Sequence, residues 1–139
     1  MQGHAESTTY TSRMLTRFTL VCLCVYVPLE TVVSTGRDGV LTFGYLIDFV
    51  GMCLLAGGLV AMRRTTPLGF GLLTAGWAWT SANFWRATME RFWTFSDGRP
   101  LQFGSIELWL GPGLTLTAML AMTASLVAGW RSSSSVAGA

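Results

Sequence analysis

Residues 40–67 read VLTFGYLIDFVGMCLLAGGLVAMRRTTP. From Val40 to Met62 the run is apolar with one charge, Asp48, and it ends at Arg63-Arg64 and Pro67. An apolar run of about 20 residues is what a helix needs to cross a bilayer. The arginine pair and proline make a basic turn, and proline is suited to open the next helix.

Three more stretches read the same way, which gives four spans at about 14–34, 40–62, 68–87 and 106–130. Gly36-Arg37-Asp38-Gly39 separates the first two, and Ser96-Asp97-Gly98-Arg99-Pro100 interrupts the chain before the fourth. β-Barrel strands would alternate over about ten residues, and these runs are longer and more uniformly apolar. Residues 1–12 and 132–139 are polar or small and are expected to be disordered tails around one transmembrane domain, 13–131. The first span is long enough for an uncleaved anchor. The expected fold is therefore all-α: an integral membrane, up-down four-helix bundle with short loops and one longer outer loop, residues 88–105.

Composition agrees. Of 139 residues, 51% are hydrophobic and 12% charged, about half the charge of a soluble domain. A net charge of +2 offers no basic stripe, so nucleic acid is not an expected partner. Four spans bring both termini to one side, with Arg13, Arg17, Arg63, Arg64 and Arg131; the other side holds Arg37, Arg86, Arg91 and Arg99. The positive-inside rule then puts both termini in the cytoplasm of a multi-pass protein in a cell membrane, such as a bacterial inner membrane.

Charged and amide groups inside a span are costly and point to function. Glu30 lies near the outer end of the first span, Asp48 within the second, Asn83 near the end of the third and Glu107 at the start of the fourth. Helical spacing places them on small-residue faces: Gly44, Asp48, Gly51 and Gly58; Gly69, Gly76, Thr80 and Asn83; Glu107, Gly111, Ala118, Ala121 and Ser125. Small residues mark close helix packing in membranes. Tyr26 and Glu30 share a face of the first helix. Arg86 is one turn from Asn83 and is expected to pair with Asp48 or Glu30, leaving Glu90, Arg91 and Glu107 at the rim.

Five of six tryptophans fall between residues 77 and 109. They read as an interfacial belt or as an aromatic lid over the polar cluster, with Trp85 beside it. The candidate ligand-binding residues are thus Tyr26, Glu30, Asp48, Asn83, Trp85, Arg86, Glu90 and Glu107. No metal or cofactor is expected: the only histidine, His4, lies in a tail, and Cys22 and Cys24 point to different sides of one helix.

Three functional readings follow. The first is a non-enzymatic component with an outward-facing intramembrane pocket, which binds a lipid-like ligand or serves as an accessory subunit with a protein partner or further copies of itself. The second is a membrane enzyme that uses Asp48 and Glu30 for acid/base isomerisation or hydration of an apolar substrate. The third is a small proton- or ion-coupled transporter, whose relay would find few groups in the cytoplasmic half. Against all three stands a cluster that only holds the helices together.

Overall fold

A computed structural model describes residues 2–38, 43–63, 66–101 and 104–137. They form four α-helices: α1 (Gln2–Asp38), α2 (Phe43–Ala61), α3 (Thr66–Ser96) and α4 (Ile106–Ala137), with no strand among the described residues. The packing is that of a ring in which α2 touches α1 and α3, and α4 touches α3 and α1.

The register follows from side-chain contacts. On α3, Gly69, Gly76 and Thr80 lie against Met62, Leu55 and Gly51 of α2, so the two run antiparallel. Phe70 and Thr88 of α3 lie against Gly129 and Gly111 of α4, again antiparallel. Phe18 and Tyr26 of α1 meet Trp77 and Phe84 of α3, so these two helices are parallel across the diagonal. The termini therefore share one end of the bundle with the α2–α3 turn.

Glycines set how closely the helices approach. A Cβ on Gly76 would come within 2.8 Å of Leu55 and one on Gly58 within 2.8 Å of Leu73, backbone nitrogens included at 2.9 Å. The small-residue faces expected from spacing are the buried ones: Gly51, Gly58, Gly69, Gly76, Thr80, Ala118, Ala121, Ser125 and Ala128. Around them sit Leu15, Leu55, Phe70, Leu73 and Trp77.

The α3–α4 connection shows local sequence logic. Gly98 adopts a left-handed φ of 70°. Its N–H donates to the Phe95 carbonyl (3.0 Å) and that of Arg99 to the Thr94 carbonyl (3.0 Å). This is a Schellman stop, with Pro100 just beyond it.

Three boundaries differ from the sequence expectation. The third helix runs to Ser96, so residues 88–96 are helical and the longer outer loop shrinks to 97–105. The polar N-terminal stretch belongs to α1 from Gln2, and α4 continues through the serine run to Ala137. Extending a nucleated helix costs little, and Ser132, Ser133 and Ser134 bond back to carbonyls of residues 129–131. Pro28 and Pro112 lie inside helices.

Among the described residues, one helical segment, Ile106–Ser134, is by length and composition apolar enough to cross a membrane; Leu46–Ala61 is a shorter apolar segment. The bundle surface is apolar on every helix, with Val21, Val50, Leu68, Trp109 and Leu120 among the exposed side chains. Among the apolar residues of the core the interior also holds polar groups: Thr19, Thr80, Ser81, Thr88, Thr115 and Ser125 are buried.

Candidate functional site

Three helices converge on one polar cluster. On α1, Tyr26 and Glu30 are one turn apart, and the Tyr26 ring meets Phe84 edge-on at 5.4 Å and 89°. That contact brings Tyr26 level with Asn83. On α2, the seat of Gly51 beside Thr80 carries Asp48, one turn away, to the same height. Trp79 fixes the α2 backbone here: its indole N–H donates to the Ile47 carbonyl at 2.8 Å, and its ring lies 3.0 Å from where a Gly51 Cβ would sit. Any side chain at residue 51 would push that ring away.

The groups are electrostatically coupled. Asp48 feels the charges of Glu30 and Arg86, and Tyr26 those of Asp48 and Glu30. Asp48 is half-buried, with no hydrogen bond or ion pair to a described residue. The Asn83 side-chain Nδ2 is fully buried and likewise has no hydrogen-bond partner among the described residues. A buried donor without an acceptor costs about 1–3 kcal/mol. The cluster thus offers a carboxylate and an amide N–H within an aromatic surround, a set able to hold a polar group that both donates and accepts.

The other candidates lie further out. Arg86 does not close an ion pair with Asp48 or Glu30; it meets Glu90 on its own helix, at 3.8 Å, with both side chains more than half exposed. Its long side chain reaches solvent-facing surface there, where charge is cheaper than inside the bundle. Trp85 is exposed and does not roof the cluster. Glu107 is buried between α3 and α4, where Arg91 Nε donates to it at 3.0 Å and Arg91 Nη1 donates to the Ala87 carbonyl at 3.2 Å. This pair ties the start of α4 to α3 one helix face away from Asp48.

Trp77 and Trp79, two apart on α3 and so expected from spacing to face different ways, meet different helices. Trp77 is 3% exposed; its indole N–H donates to the Thr19 hydroxyl at 3.3 Å and its ring stacks on Phe18 at 5.6 Å. Trp79 supports the Asp48 backbone as described. Spacing alone does not tell which helices they meet. The described residues include no group of three or more His, Cys, Asp or Glu placed to hold a metal ion.

A groove among the described residues lies away from this cluster. It lies toward the opposite end, between α3 and α4, with a volume of about 510 Å³. No family model matches the chain, and searches of curated proteins and of solved structures return no match. The site and the fold alone carry the functional argument.

Proposed function

We propose that this is a multi-pass membrane protein with all four helices in the bilayer and both termini in the cytoplasm. On this reading it is a non-enzymatic component that binds an amphipathic, lipid-like ligand, whose polar head enters the cluster of Tyr26, Glu30, Asp48 and Asn83. The observation that carries it is the apolar exterior. Large apolar side chains such as Val21, Val50, Leu68, Leu120 and Trp130 are exposed on the outside, while threonines, serines and Glu107 lie buried beside the apolar core. A soluble bundle of this size would aggregate through such a surface.

The helices fit the bilayer in different ways. α4 has the length and hydropathy to cross. α3 is packed on two sides and draws its interior face from Gly, Thr, Ser and Trp, which lowers its hydropathy without exposing charge at mid-height. The serine and threonine hydroxyls bond back to carbonyls one turn earlier, as at Thr74, Thr80, Ser81 and Thr115. No water is needed to satisfy them.

Binding is favoured over a purely structural cluster by the unmatched groups. A network that served only to hold helices would close its own hydrogen bonds, whereas Asn83 Nδ2 is left open. The test is native mass spectrometry of protein extracted gently from its own membrane. A small mass is expected on the wild-type chain, and about tenfold less of it on Asp48→Asn, a loss of one charge-assisted hydrogen bond. Equal occupancy in both, with the variant still folded, refutes the site. Release of the chain from membranes by alkaline carbonate refutes the membrane reading.

A further inference from the structure

The two ends of the bundle differ in charge. Among the described residues, the end that carries the termini and the α2–α3 turn has four arginines, residues 13, 17, 63 and 131, against one carboxylate, Glu6. The opposite end has four arginines against six carboxylates. The described residues therefore give the two ends +3 and −2.

The α3–α4 groove lies at the positive end. Its walls are mainly apolar, from Phe70, Ala75, Ala78, Leu126 and Trp130, with Ser133 at the mouth. It faces outward, because Gly71, Ala75 and Ala78 are all exposed, and a Cβ on Gly71 would meet nothing within 4 Å. Between the exposed Leu68 and Trp79, α3 presents small side chains outward here and leaves a trough beside α4. Two exposed arginines lie next to its mouth in the chain. Arg131 follows Trp130, and Arg63 precedes Pro67, another lining residue, by four positions.

We infer that this groove seats an acyl chain of an anionic phospholipid of the cytoplasmic leaflet, with its phosphate held by Arg63 and Arg131. The apolar trough provides packing that any phospholipid can use. The charge at its mouth distinguishes anionic from zwitterionic head groups, and basic pockets between membrane helices act this way. Trp130 is 74% exposed, and tryptophan favours the head-group region of a bilayer. The inference rests on the membrane reading above and not on the polar cluster at the other end.

The experiment first establishes membrane residence by resistance to alkaline carbonate, so that a failure there is charged to the membrane reading alone. The chain is then placed in bilayer discs of equal parts phosphatidylglycerol and phosphatidylcholine, and retained lipid is read by native mass spectrometry. Phosphatidylglycerol is expected to be retained preferentially. An arginine near the surface contributes about fivefold to anionic-lipid attraction, so Arg63→Gln with Arg131→Gln lowers the preference by roughly thirtyfold at most, toward parity. Ala75→Leu with Ala78→Leu fills the trough and removes retained lipid of both kinds. Both alanines are exposed, so the filled variant keeps its interior; should it nonetheless fail to fold, the arginine pair decides. Equal retention of the two lipids by the wild-type chain overturns the inference. So does retention unchanged by the arginine variants, or a dimer mass that the filled variant abolishes, which would make a second copy the occupant.

Discussion

Helix α3 is joined to α2 and α4 by glycine seams, whereas α1, which flanks α2 and α4, reaches α3 through aromatic side chains. α3 can approach α2 closely because Gly58, Gly69 and Gly76 leave room for Leu73, Met62 and Leu55. α1 has no glycine between Gly3 and Gly36, and its inward face is Leu15, Thr19, Cys22 and Tyr26. The backbones of α1 and α3 do not meet; Trp77 and Phe84 span the diagonal to Phe18, Thr19 and Tyr26. On the membrane reading proposed above, helix association depends on packing rather than on apolar attraction. The glycine seams should therefore be stiff, and the aromatic bridge should allow α1 to shift. The polar cluster lies where these two kinds of joint meet, with Asp48 and Asn83 on the stiff side and Tyr26 and Glu30 on the other.

The largest effect should come from removing the bridge. Trp77→Ala deletes a buried indole, its stack on Phe18 and its bond to Thr19, and is expected to cost about 3 kcal/mol. Unfolding in a mixed-micelle titration measures the loss, and limited proteolysis should show α1 released while α2–α4 stay protected. If α1 and α3 become susceptible together, the two joints are not distinct.

A smaller but more pointed effect separates two glycines. Gly76→Ala places a methyl within 2.8 Å of Leu55 and 2.9 Å of its backbone nitrogen, and overpacking of this kind costs about 2 kcal/mol. Gly113 is exposed on α4, and a Cβ there meets nothing within 4 Å. Gly113→Ala should stabilise by about 0.5–1 kcal/mol through helix propensity alone. The same titration reads both, and a common sign would mean that glycine serves helix flexibility rather than close approach.

These joints also explain what could be read in advance. The small-residue faces of α2, α3 and α4 were legible because three- and four-residue spacing defines a face whatever it packs against. The Asp97-Gly98-Arg99-Pro100 stop was legible because only a few residue types suit a left-handed helix end. Spacing does not report which neighbour a long side chain chooses. Arg86 can reach either the cluster or Glu90, and it lies with Glu90. Trp85 lies on α3 near Asn83 yet faces outward. The groove escaped notice because it depends on small side chains of α3 lying beside a trough-forming flank of α4. Neither sequence segment shows that juxtaposition by itself.

The finest test concerns the single polar contact in the aromatic bridge. Trp77 Nε1 donates to the Thr19 hydroxyl at 3.3 Å, a long bond inside a buried interface. Thr19→Val keeps the branched shape and the stack on Phe18 but removes the acceptor. Hydrogen bonds between membrane helices are worth about 0.6 kcal/mol on average, and an indole N–H left buried without a partner adds to that. A loss of roughly 1 kcal/mol is therefore expected, about a third of the Trp77→Ala effect. A loss as large as that of Trp77→Ala would mean that the hydrogen bond, not the ring, fixes α1. No loss would mean that ring packing alone sets the position of Tyr26 and Glu30 relative to Asp48, so that α1 can slide along Trp77 without breaking a bond. In that case the distance between the two carboxylates is the quantity a bound head group would adjust.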